Sequence, residues 1–190
     1  MRHNLEAEIR FLLNRLDRVA SSNEWDDDLN PTQVTILQYL ARANRLSRSP
    51  SVIADYMGTT RGTISQSLKS LAGKGLVSKV SLSTDQRTTS FELTEKGSRA
   101  AGEYQGFQAA LSAIPQERKE EFLTTLREIA GHVFRENKTK LFGICKDCTY
   151  LEIRNQKHYC SLMNWDLLPE STEKICHKHT DRPAVSDEGQ

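Results

Sequence analysis

The segment Ser51–Lys74, SVIADYMGTTRGTISQSLKSLAGK, constrains this chain more than any other. It splits at Gly58 into two short helical patterns. The first sets Ile53 and Met57 on one face. The second starts at Thr60 and sets Ile64, Leu68 and Leu71 on an apolar stripe at helical spacing. The opposite face of the second pattern carries Arg61, Thr63, Ser65, Gln66, Lys69 and Ser70, and no acid occurs from Thr59 to Thr84. Hydroxyl, amide and basic side chains are those that hydrogen-bond phosphates and base edges in duplex DNA. Two short helices joined by a tight turn, the second polar in this way, predict a helix-turn-helix. An ordinary pair of surface helices is the alternative this stretch alone leaves open.

The charge pattern bears on that choice. The whole chain carries a net +1, yet Arg42–Lys96 holds nine Lys or Arg against four Asp or Glu. Basic charge therefore gathers around the helix-turn-helix, as a nucleic-acid partner requires. No stretch approaches the ~20 apolar residues of a membrane span, and no signal peptide is visible. These features predict a cytoplasmic protein with no membrane contact.

On the N-terminal side, Asn4 to Val19 reads as an amphipathic helix with Leu5, Ile9, Leu12, Leu16 and Val19 along one side. Asn30-Pro31 starts the next helix, whose buried side is Val34, Leu37 and Leu40. After Gly75 the period changes. Leu76–Leu82 and Thr89–Leu93 read as two strands around the polar turn Ser83–Thr88, with Arg87 near the tip. A basic side chain there can enter a narrow minor groove, where the negative potential is enhanced; a solvent-exposed turn charge is the plain reading. A helix from Thr94 through Ala110 and another from Pro115 to about Asn137 follow, the latter with Phe122, Leu126, Ile129 and Val133 on one face. The first and the last two helices exceed what a small winged unit buries alone, which points to a dimer interface; packing within one chain is the other reading.

With these residues in view, Leu29–Ala101 resembles the MarR (multiple antibiotic resistance regulator) family of winged-helix repressors. The resemblance rests on LNPTQVTILQYLA, on the helix-turn-helix and on GLVSKVSLSTDQRTTSFELTEKG. Asp85 and Arg87 match the Asp-x-Arg of that family's wing tip, and Leu93, Thr94 and Gly97 match its Leu-Thr-x-x-Gly close. The resemblance implies a homodimer on a pseudo-palindromic operator of double-stranded DNA. It implies that Arg87 reaches the minor groove, steadied by Asp85, and that a small-molecule effector is possible. Thr60, Arg61, Thr63, Ser65, Gln66 and Lys69 are the candidates for major-groove and phosphate contact.

Members of ordinary size end near residue 140, whereas this chain continues with Cys145-x2-Cys148-x11-Cys160-x15-Cys176. All four cysteines of the protein lie in this segment. In a reducing compartment that clustering points to metal or redox chemistry rather than disulfides. Thiolates suit zinc and iron–sulfur clusters. A zinc ribbon prefers a second C-x2-C pair, although His158, His177 and His179 offer substitute nitrogens. The spacing looks like that of high-potential iron–sulfur proteins, which favours a 4Fe–4S cluster with aromatic packing from Tyr150, Tyr159 and Trp165. Reversible disulfide switching is the third reading.

The expected fold is mainly α with a β-hairpin wing: a dimeric winged helix-turn-helix plus a small four-cysteine module. The expected parts are an N-terminal dimerisation helix (1–28), the DNA-binding domain (29–97), dimerisation helices (98–140), the cysteine module (141–180) and a disordered tail (181–190). The expected function is transcriptional regulation, most often repression, gated by the redox or metal state of Cys145, Cys148, Cys160 and Cys176. A redox protein using the cluster directly is the rival from another class. No pairing of nucleophile and base stands out, and Gly73-Lys74-Gly75 is too short to cradle phosphate, so no enzyme is expected. Because the module follows the last dimerisation helix, its signal is expected to act by changing the spacing of paired reading heads.

Overall fold

The computed structural model describes residues 4–22, 28–81, 89–102 and 105–182. Among the described residues there are seven α-helices: α1 (Leu5–Ser22), α2 (Pro31–Arg42), α3 (Pro50–Met57), α4 (Arg61–Gly73), α5 (Glu95–Ala100), α6 (Gln105–Ser112) and α7 (Gln116–Glu136). Strands β1 (Val77–Ser81) and β2 (Thr89–Leu93) pair antiparallel from Val77↔Leu93 to Ser81↔Thr89 and form the wing.

The helix starts are set locally. Asn30 caps α2 with a reciprocal bond to Gln33, and Pro31 occupies the first turn. Ser49, Thr60 and Thr94 cap α3, α4 and α5 through their hydroxyls. Gly58 ends α3 at φ +59, a left-handed conformation that glycine adopts without a Cβ penalty, and so makes the tight turn into α4. The helix expected from Thr94 through Ala110 is interrupted: α5 ends at Ala100, and α6 begins at Gln105. Gly102 sits in the break, and glycine is a poor continuing residue.

A single apolar core joins Val34, Ile36, Leu37 and Leu40 of α2 to Ile53, Ile64, Leu68, Leu71, Leu76 and Val77. These are the side chains the helical periodicity assigned inward. Outside it, α7 has no buried residue, and Leu5, Ile9, Leu12, Leu16 and Val19 of α1 are exposed together with Phe122, Ile129 and Val133 of α7.

The cysteine segment has a β architecture of its own. Strand β3 (Gly143–Ile144) pairs with β7 (Ile175–Cys176), while β4 (Leu151–Arg154), β5 (Lys157–Cys160) and β6 (Trp165–Leu167) form an antiparallel meander. Asn155 and Gln156 both take positive φ in the two-residue β4–β5 turn, the geometry a tight hairpin favours. The segment does not extend away from the last helix. Ile175 is buried in the same core as Ile36 and Leu37, and it bridges in parallel to Ala43 at the end of α2. The module therefore docks on the connector between α2 and α3, and it also meets α7 where Arg127 pairs with Asp147 at 3.6 Å.

Candidate nucleic-acid interface and cysteine site

The α4 helix is held by its apolar stripe: Ile64, Leu68 and Leu71 are fully buried. That anchoring turns Arg61, Thr63, Ser65, Gln66 and Lys69 outward, all exposed. Thr60 is exposed too, but its Oγ1 accepts the Thr63 N–H at 3.2 Å and lies 2.9 Å from the Thr63 hydroxyl. Ser70 is not free, since it accepts from Gln33 Nε2 at 3.0 Å and ties α4 to α2. Asp85 and Arg87, the expected wing-tip pair, lie outside the described residues.

A cleft of about 410 Å³ opens between α4, the start of α3 and the wing. Arg61 and Ser65 line one wall, Ser49 and Ser51 another, and Lys79 of β1 a third. With Thr89 of β2, two cations and four hydroxyls ring this concave surface and suit a phosphodiester backbone. Lys79 and Ser51 were not among the sequence-based candidates. The alternation of β1 carried the signal for Lys79, and the capping pair Ser49-x-Ser51 carried it for Ser51.

The second site is built by the cysteine module. Cys145 and Cys148 flank a short 3-10 turn, Cys160 closes β5, and Cys176 ends β7. All four are free thiols and line one cavity of about 290 Å³. Across the meander, Leu151, Cys160 and Trp165 stand in one row, because Leu151↔Cys160 and Cys160↔Trp165 are direct partners. Tyr150, Met163 and Leu167 complete a mostly apolar wall. Asn44, Arg45 and Leu46 of the α2–α3 connector also face the cavity, and Arg45 lies 5.9 Å over the Trp165 ring. Tyr159 departs from expectation: it alternates to the other face of β5, under the Arg154 guanidinium at 3.9 Å.

Burial, reinforced by the thiols of Cys176, Cys148 and Cys160, pushes the Cys145 pKa up to about 11. Burial likewise raises Cys176, opposed by hydrogen bonds to its sulfur from the Lys178 backbone and the Asn44 side chain. Such N–H donors stabilise a thiolate and tune a metal bound to it. Among the described residues, no group of three or more His, Cys, Asp or Glu is gathered tightly enough for a single ion. The four cysteines nonetheless share the lining of one cavity; in an iron–sulfur cluster each thiolate would bind a different iron. His177 hydrogen-bonds Ser47, and His179 packs against Gly143, so neither lines the cavity.

The architecture is that of a winged helix-turn-helix. Residues 27–88 match the model of the MarR family. Among solved structures, the S. aureus MepR–DNA complex resembles this chain at 19% identity and a TM-score of 0.54, covering 70% of this chain and 99% of that one. S. aureus MepR in its DNA-binding conformation gives 20% identity and a TM-score of 0.55, covering 68% and 98%. A MarR protein from Peptoclostridium difficile gives 16% and 0.55, covering 72% and 91%. These likenesses establish the fold, a MarR-type winged helix. A search of the curated proteins gave no match. Among the described residues, no helix is long and apolar enough to cross a membrane.

Proposed function

We propose that this protein is a sequence-specific DNA-binding transcriptional regulator whose affinity for its operator depends on an iron–sulfur cluster held by Cys145, Cys148, Cys160 and Cys176. The observation that carries the DNA reading is the outward face of α4 with its cleft. Five exposed polar or basic side chains stand there without a neighbouring acid in sequence, beside a concavity edged by Arg61 and Lys79. The match of residues 27–88 to the MarR family and the likeness to a protein solved on DNA support it.

A pseudo-palindromic duplex and a homodimer follow from the same reading. The apolar faces of α1 and α7 would meet those of a second copy, which sets two recognition helices about one DNA turn apart. The cluster reading is supported by four free thiols around one apolar cavity and by two N–H donors on Cys176. The cysteine spacing favours a 4Fe–4S cluster, and a reducing cytoplasm suits the free thiols. The protein acts by binding, not by catalysis, as a repressor of its target.

The test is the visible spectrum, iron content and acid-labile sulfide of protein purified without oxygen, beside duplex binding at increasing salt. Brown protein that loses iron in a Cys160→Ala variant supports the reading, as does affinity that falls steeply with salt when counterions compete for phosphates. Colourless protein with one zinc per chain replaces the cluster with a structural zinc site. Salt-insensitive or undetectable duplex binding overturns the regulator reading.

A further inference from the structure

The connector between α2 and α3, residues 43–48, is gripped on both sides. On the module side, the Asn44 N–H donates to the Ile175 carbonyl at 2.8 Å, and Lys174 Nζ donates to the Ala41 carbonyl at 2.8 Å. The His177 N–H donates to Ser47 Oγ at 2.9 Å, and that hydroxyl donates to Asn44 Oδ1 at 2.7 Å. The Asn44 side chain also hydrogen-bonds the Cys176 sulfur. On the reading side, the Phe91 N–H of β2 donates to the Arg48 carbonyl at 3.1 Å, while Arg48 Nη1 meets Glu92 at 3.4 Å. The next residue, Ser49, caps α3. One hydrogen-bonded path therefore runs from the Cys176 sulfur through Asn44 and Ser47 to the start of the helix-turn-helix and the wing.

The module cannot hold β7 in place by itself. The β3–β7 pair is two residues long, and a segment of this size lacks the core to fold without a staple. Its folding is then the binding free energy of whatever the four thiolates hold.

We propose that residues 43–48 are the element through which the cysteine module controls DNA binding: with the cluster in place, β7 locks the connector and the operator is bound, and with the cysteines empty, β7 detaches and the operator is released. This rests on the proposed cluster-dependent regulator. Detachment withdraws Ile175 from the core and removes the partners of Asn44, Ser47 and the Ala41 carbonyl together. The α3 cap and the wing strand lose their fixed neighbour at the same time. Ser47, fully buried and hydrogen-bonded to His177 and Asn44, is the positioning residue of the path.

The test uses full-length protein purified without oxygen and a duplex selected by that protein from a random pool. Affinity and amide hydrogen exchange over residues 43–58 are measured before and after iron is removed with a chelator under thiol-reducing conditions. Removal is expected to weaken binding on the order of tenfold or more, within the usual span of coupling between sites, and to speed exchange at Asn44 and Ile53. Ser47→Ala should keep the iron and its spectrum while the ratio of loaded to stripped affinity falls toward one. Lys174→Met, which breaks the second tie, should lower the ratio in the same sense and stands in if Ser47→Ala does not fold. A purely structural role for Ser47 would weaken both forms equally and leave the ratio intact, which overturns the proposal. So does stripped protein that binds as tightly or more tightly, or unchanged exchange. Protein that never contains iron defeats the cluster reading itself, and this path with it.

Discussion

Gly97 provides a sharp test of how the wing is anchored. It lies in the first turn of α5, where its N–H donates to the capping Thr94 Oγ1 at 3.0 Å. A Cβ built there would stand 1.8 Å from the Leu76 carbonyl oxygen, and real Cβ contacts essentially never fall below 3.0 Å. Gly97→Ala must therefore push α5 and the entry to β1 apart by at least about 1.2 Å. Two bonds cross that gap: Thr94 N–H to the Leu76 carbonyl at 3.1 Å, and the Thr94 hydroxyl to the Gly75 carbonyl at 2.7 Å. Overpacking costs about 1–3 kcal/mol, and each lost hydrogen bond about 0.5–1.5 kcal/mol. Helix propensity pulls the other way, favouring Ala by about 1 kcal/mol. The steric side wins, and the net loss should be about 2–3 kcal/mol. Urea unfolding followed by far-ultraviolet circular dichroism, at one protein concentration and one metal state, reads this as a lower midpoint with an unchanged slope. An alanine variant as stable as the parent, or more stable, would show that the backbone approach is not tight and would refute the reasoning.

Further expectations concern the same elements. Gly58→Ala meets no neighbour within 4 Å, so only the left-handed backbone is strained; about 1–2 kcal/mol should be lost in the same unfolding assay. Tyr39→Phe removes the 2.7 Å bond to the buried Ser47 carbonyl and should cost about 1–3 kcal/mol by leaving that oxygen unpaired. Because burial raises the Cys145 and Cys176 thiols, both carry protons at pH 7 without a metal, and the proposed cluster would have to expel them. Apparent metal affinity should therefore rise as pH increases from 6 to 8, with proton release visible by calorimetry in two buffers of different ionisation enthalpy. Arg61→Ala should weaken duplex binding and make its dependence on salt shallower by about one unit of logarithmic slope.

The winged helix was legible because its signals are local. Asn30-Pro31, Gly58 and Thr60 mark helix ends through bonds made within four residues, and the stripe of Ile64, Leu68 and Leu71 declares its inward face. The outward side chains of α4 then follow by geometry. The cysteine segment was less legible. Spacing gave an expected ligand set, but strands of two to four residues such as β3 and β7 carry too few alternations to register. Tyr159 was misplaced because the parity of β5 depends on a register with β4 that only pairing fixes. The docking of Ile175 on Ala43 links residues 132 positions apart, and no periodicity encodes such a contact.

The sharing of Ile175 between the two parts has a consequence for truncation. A chain cut after residue 140 would not simply be a winged helix of ordinary length. It would leave Ala43, at 0% exposure, beside an open socket, and Lys174 would no longer reach the Ala41 carbonyl. Residues 41–47 have been fitted to a neighbour, so losing that neighbour is harmful until they are refitted. The appendage is thus part of the fold it sits on: removing the strand that carries Cys176 also opens the core beside Ala43.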